Sequence, residues 1–125
     1  MTTRLISLGR LATARSGDKG NHANVGVVAN SSEVYAFLVQ ELTAERVHQH
    51  FAGLGASRVE RYELPKVLAL NFVLRDVLAG GASTSLRIDT QGKLLGTALL
   101  DLELPCPVEF FPKATGGDAY NLPTP

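Results

Sequence analysis

Ten residues near the start of the chain, Arg15-Ser16-Gly17-Asp18-Lys19-Gly20-Asn21-His22-Ala23-Asn24, concentrate the groups that could do chemistry. Glycines let successive backbone N–H groups turn to one side and form a concavity suited to an anion. Arg15 and Lys19 add positive charge, and Ser16, Asn21 and Asn24 add neutral hydrogen-bonding groups. Arg15, Ser16, Gly17, Asp18, Lys19, Gly20, Asn21 and Asn24 are therefore a candidate binding set for a carboxylate, a phosphate or the head of a thioester. Asp18, Lys19 and His22 are the catalytic candidates, with Lys19 holding an anionic group and Asp18 or His22 moving a proton, although no nucleophile with a defined partner accompanies them. The same composition also suits a plain connection between two strands, with Asp18 and Lys19 paired at the surface.

A polar counterpart lies further along. Asn71 interrupts the apolar run Ala69-Leu70-Asn71-Phe72-Val73-Leu74, and Arg75 follows four residues later. On a helix the two would share a face, and together they could complete a pocket over the polar loop. Asn71 could equally tie off a strand end or the first turn of a helix. Gly80-Gly81-Ala82-Ser83-Thr84 reads as a helix cap and connection. His48 and His50 are two apart on a predicted helix, so they point to different sides and cannot readily share a metal. With no HExxH, cysteine pair or dense carboxylate cluster, no metal site is expected. The loop has neither the phosphate-loop spacing nor the dinucleotide fingerprint, so no cofactor is expected either. Cys106, between Pro105 and Pro107, shows no neighbour that would activate a thiol and is read as structural.

Regular elements must position these groups. Residues 4–15 read as one strand bent at Gly9, and residues 25–29 as a short buried strand. Asn30-Ser31-Ser32 offers a helix cap, and Val34, Phe37, Leu38 and Leu42 follow at helical spacing. Thr43 can cap a second helix, with Glu45 in its first turn, Val47 and Phe51 on its apolar face, and Gly53 and Gly55 at its end. Residues 57–64 alternate like an edge strand, and Pro65 stops them. The spacing of Leu70, Val73, Leu74, Val77 and Leu78 predicts a helix over 66–79. Leu86 and Ile88, a turn over Asp89-Thr90-Gln91-Gly92, and alternation from Leu94 to Leu104 predict a closing hairpin. Strand, strand, helix, helix, strand, helix, strand, strand is the order of an α+β two-layer sandwich, a mainly antiparallel sheet with helices on one face. Residues 1–104 make the domain. Residues 105–125 form a proline-rich arm, with Phe110, Phe111 and Tyr120 available to dock.

The chain of 125 residues is long enough for one core. Apolar content of 45% and charge of 19% exclude a mainly disordered chain. Twelve basic and twelve acidic side chains cancel, so no global field favours nucleic acid or an anionic membrane. One cysteine excludes an internal disulfide framework and suits a reducing compartment. No signal-like or membrane-spanning apolar run is present, which makes the cytoplasm the expected location.

The segments ARSGDKGNHANVGV (14–27), LTAERVHQHFAG (42–53), VERYELPKVLALNFVL (59–74) and LRIDTQGKLLGTALL (86–100) resemble the small C-terminal domain of the acyclic terpene utilisation A (AtuA) proteins. The resemblance covers residues 4 to 104 and implies a ferredoxin-like fold. Full-length relatives carry a larger domain ahead of this one and are associated with breakdown of acyclic terpenoids through coenzyme A thioesters. It therefore implies an accessory or binding module that works with a larger AtuA-type partner chain, with a small anionic or acyl-CoA ligand. Arg15, Ser16, Gly17, Asp18, Lys19, Gly20, Asn24 and Asn71 carry over as site residues without catalytic roles. Two other readings stay open: a small enzyme acting on an acyl-CoA or carboxylate through the polar loop, and a homo-oligomeric scaffold.

Overall fold

A computed structural model describes residues 3–19, 22–76 and 94–110, apart from the side chains of residues 18, 19, 94 and 109. The chain forms β1 (Thr3–Ser7), β2 (Ala12–Lys19), β3 (His22–Ala29), α1 (Ser32–Glu41), α2 (Ala44–His50), β4 (Arg58–Leu64), β5 (Ala69–Arg75), α3 (Leu94–Leu99) and β6 (Glu103–Pro107). β2, β3, β5 and β4 make a four-stranded sheet in that order, antiparallel throughout. β1 and β6 pair antiparallel as a separate ribbon.

Alternation along the two central strands decides the architecture. Val25 and Val27 of β3 and Leu70, Phe72 and Leu74 of β5 point to one face and are buried completely or nearly so. They meet Val34, Leu38 and Leu42 at α1, Val47 on α2, and Leu95 and Leu99 on α3. The result is the expected α+β two-layer arrangement, with the described helices on a single face of the sheet.

The helix starts are where local chemistry places them. Ser31 Oγ accepts the N–H of Val34 at 3.2 Å, and Thr43 Oγ1 accepts that of Arg46 at 3.1 Å. Gly55 closes the turn after α2 with a φ of 75°. The end of α1 is held from outside the helix. Arg61 reaches from β4 and donates to the carbonyls of Val39 at 2.8 Å and Leu42 at 3.0 Å, while its other terminal nitrogen bonds Glu63 at 2.9 Å.

Four expectations need correction. The single bent strand over 4–15 is two strands in different sheets, divided by a 3₁₀ turn at Leu8–Arg10. Leu8 and Gly9 donate to the carbonyls of Leu102 and Leu100, so the chain leaves the ribbon there before entering the sheet. The polar stretch from Arg15 is mostly hairpin strand, because β2 runs to Lys19 and β3 begins at His22. Gly20 and Asn21 lie outside the described residues. The helix expected over 66–79 is β5 over Ala69–Arg75, paired on both sides by β3 and β4. The returning strand expected from Leu94 is the short helix α3 followed by β6. Gly96 lets α3 lie against β2, since a Cβ there would stand 3.3 Å from Ser16 N and Oγ.

The expected turn at 89–92, the Gly80–Gly81 cap and the chain beyond residue 110 lie outside the described residues. β6 crosses the boundary drawn at residue 104, and Pro105, Cys106 and Pro107 pair with Leu5, Arg4 and Thr3. Cys106 is fully buried in the core, and Phe110 stacks on Phe37 with ring centroids 5.1 Å apart.

Arg61→Ala is expected to cost about 2–3 kcal/mol, because it strips charge-assisted hydrogen bonds from two carbonyls at the end of α1. Thr43→Ala, which removes one cap, should cost about 1 kcal/mol. Urea unfolding of both variants checks that order.

Candidate functional site

No described element covers the sheet face opposite the described helices, and pairing assigns its residues row by row. Arg15 stands beside Gly26, Gly26 beside Asn71, and Asn71 beside Tyr62, one residue from each strand. The next row is Gly17, Asn24, Val73 and Glu60. On the other side lie Thr13, Val28, Ala69 and Leu64.

Two glycines on this face make a hollow. Thr13, Ala14, Arg15, Ser16, Gly17, Asn24, Gly26, Val28 and Asn71 line a cleft of about 590 Å³. Asn24 Nδ2 donates to Asn71 Oδ1 at 3.3 Å, so the two amides meet across β3 and β5. Gly17 leaves the space that Asn24 uses, since a Cβ there would stand 3.3 Å from Asn24 Oδ1. Gly26 is different. A Cβ there would find its nearest neighbours at 3.8 Å, and its φ is not in the left-handed region. Neither conformation nor crowding requires glycine at position 26, and what its absent side chain provides is the depth of the cleft. Arg15 is exposed at the rim and makes no hydrogen bond or ion pair among the described residues.

A depression of about 600 Å³ over α2, lined by Thr43, Glu45, Arg46, His48 and Gln49, offers less. Thr43 already caps its helix, Arg46 bonds Glu41 at 3.3 Å, and His48 Nε2 donates to the Ala56 carbonyl at 3.1 Å.

Beyond the cleft the open face carries a charge cluster centred on Glu60. Its Oε1 accepts from Arg75 Nη2 and from the Tyr62 hydroxyl, both at 2.9 Å, and its Oε2 accepts from Arg58 Nε at 2.7 Å. The Arg75 hydrogen bonds, then the Tyr62 hydroxyl and Arg58, hold the Glu60 carboxyl at about 2, against an ordinary value of 4.5 and against a smaller opposing push from burial. Arg75 is raised in turn, chiefly by its bond to Glu60.

Comparison with protein families matches residues 6–105 to the AtuA ferredoxin-like domain. The chain belongs to that family. Neither curated proteins nor solved structures provide a match. The ferredoxin-like α+β assignment implied by the sequence segments therefore stands.

Within this AtuA ferredoxin-like domain the residues singled out by sequence divide. Arg15, Gly17, Asn24 and Asn71 line one cleft. Ser16 touches the cleft through its strand, but its Oγ accepts the N–H of Gly96 at 2.9 Å and braces α3 on the other side. Arg75 shares the open face with Asn71 on a strand, where a helix had been expected, and it bonds Glu60. His22 Nδ1 accepts the backbone N–H of Asp76 at 3.0 Å, which leaves its ring proton on Nε2. Asp18 and Lys19 lie on β2, and their side chains are outside the described set, as are Gly20 and Asn21. No cluster of metal-ligating side chains occurs among the described residues. No helix among them is long and apolar enough to cross a membrane.

Gly26, Thr13, Val28, Tyr62 and Glu60 escaped the sequence reading. A signal for Gly26 existed, because a glycine inside a run of valines marks a close approach or a hollow. Tyr62 and Glu60 become visible only once β4 is paired with β5.

The Glu60 cluster makes stability depend on pH. A depressed carboxylate contributes stability that is complete above 4.5 and is lost as pH falls toward about 2. Glu60→Gln should therefore lower the urea midpoint most at neutral pH, with the gap to the unmodified protein narrowing across that window. A gap that stays constant through acid would assign the effect to something other than the carboxylate charge.

Proposed function

We propose that this AtuA ferredoxin-like domain is a binding module, with the polar or anionic head of a small ligand seated on the open sheet face. The observation that carries the reading is Gly26, a glycine at the middle of a central strand beside Arg15, Asn24 and Asn71, where its missing side chain leaves a hollow that no described residue fills. Such a glycine costs about 0.5–1 kcal/mol of strand stability, and a ligand site is what that cost maintains. Arg15 supplies a cation, and the two asparagines supply an amide pair with donor and acceptor capacity to spare.

Binding is favoured over chemistry by how the reactive groups are used. Cys106 is buried, the Ser16 hydroxyl braces α3, and the His22 Nδ1 lone pair is taken by Asp76. The module works with a larger partner, and the resemblance to acyclic terpene utilisation proteins points to acyl-CoA thioesters of acyclic terpenoids or related acids as ligands.

A thermal-shift panel of coenzyme A, acyl-CoA thioesters and small carboxylates tests this directly. A bound compound at about a hundred times its dissociation constant adds about 2.7 kcal/mol of stability. Gly26→Val should abolish that shift while leaving the unliganded protein as stable or more so, because a β-branched side chain suits a half-buried strand position. Arg15→Ala should weaken anionic compounds about tenfold or more. A full shift retained by Gly26→Val would exclude the cleft as the site.

A further inference from the structure

One end of the open face is apolar and has cations on both flanks. Val28, Ala69 and Leu64 form a row across β3, β5 and β4, with Tyr62 beside Leu64 on the same face. Val28 is 45% exposed, Tyr62 49% and Leu64 45%, and the turn after β4 adds Val67 at 61%. Lys66 in that turn and Arg15 across the sheet are both exposed, and neither pairs with an acid among the described residues. Among the described strand residues of this face, Arg15, Arg58 and Arg75 stand with one acid, Glu60, an excess of two positive charges on a chain whose twelve basic and twelve acidic side chains cancel overall.

Charge and area together choose the occupant. A second copy would bring the same positive excess against itself. The four-stranded face spans roughly 20 by 25 Å. A short extended segment fits that area, and acidic side chains on it would answer Arg15 and Lys66 while apolar ones cover Val28, Tyr62 and Leu64.

We infer that the Val28–Tyr62–Leu64 end of the open face docks an extended acidic segment of a protein partner, with apolar side chains between its carboxylates. The inference rests on the accessory-module reading and adds where the partner sits. Because Tyr62 ends the row that begins Arg15, Gly26 and Asn71, the docked segment would form one wall of the cleft.

The probe is a synthetic peptide of about ten residues alternating Glu with Leu and Val, compared by fluorescence anisotropy with a version carrying Lys for Glu. The acidic peptide should bind about tenfold or more tightly than the basic one, and more weakly as salt rises. A Tyr62→Ala, Leu64→Ser double variant should lose about tenfold in affinity. Lys66→Glu, an exposed change that leaves packing alone, should weaken the acidic peptide and strengthen the basic one. Equal binding of the two peptides, or unchanged binding by both variants, overturns the inference. So does a dimer in sedimentation that Leu64→Ser dissociates, since the face would then belong to a second copy. Gly26→Val should retain peptide binding and Leu64→Ser should retain the small-ligand thermal shift, so the cleft and the docking surface can fail separately.

Discussion

Everything in this domain depends on the register of β3 and β5. Each is hydrogen-bonded on both sides, and in each the apolar residues fall on alternate positions. A slip of one residue would turn Val25, Val27 and Phe72 outward and bring the Asn24 and Asn71 amides into the core without partners. The core therefore holds the sheet in one pairing, and that pairing brings Asn24, Gly26 and Asn71 together on the other face. Packing and site are two sides of one constraint.

The same alternation separates neighbours in sequence into different tasks. Ser16 turns toward α3 and holds the N–H of Gly96, while Arg15 and Gly17 on either side face the cleft. On β4, Arg61 turns inward to satisfy carbonyls at the end of α1, while Glu60 and Tyr62 turn outward into the charged cluster. Inward polar groups are spent on the loose ends of helices, where an unsatisfied backbone group would be costly. Outward ones are left for solvent, for each other or for a ligand. A stretch as polar as Arg15 to Asn24 is thus not a single site, and the strand period decides which of its residues belong to the cleft.

Much of this was legible from residues alone. The caps at Ser31 and Thr43, the helix faces behind them, the edge strand before Pro65 and the α+β class all follow from local chemistry, and all are present. The polar stretch, Asn24 and Asn71 were visible as unusual residues. Two of the errors share one cause. Leu70 and Leu74 suit a helix at spacing four and a strand at spacing two, and only pairing with β3 and β4 chooses between them. In the run Leu94-Leu95-Gly96-Thr97-Ala98-Leu99 the ambiguity resolves toward a helix. The deciding fact is the contact of Gly96 with Ser16, eighty positions away. Local periodicity carries no trace of a partner that distant.

The open face also departs from what stability alone would select. A sheet with one side that no described element covers would gain from a β-branched residue at Gly26, where an ordinary van der Waals gap is available. It would gain from an acid beside Arg15, and from polar residues in place of Val28 and Leu64, whose exposure favours unwanted association. Local rules are broken at these positions, and all of them lie on one face and within two adjoining rows. Scattered departures would read as tolerated noise. Departures that adjoin on one face of the sheet, as these do, are the pattern expected of a face kept for binding.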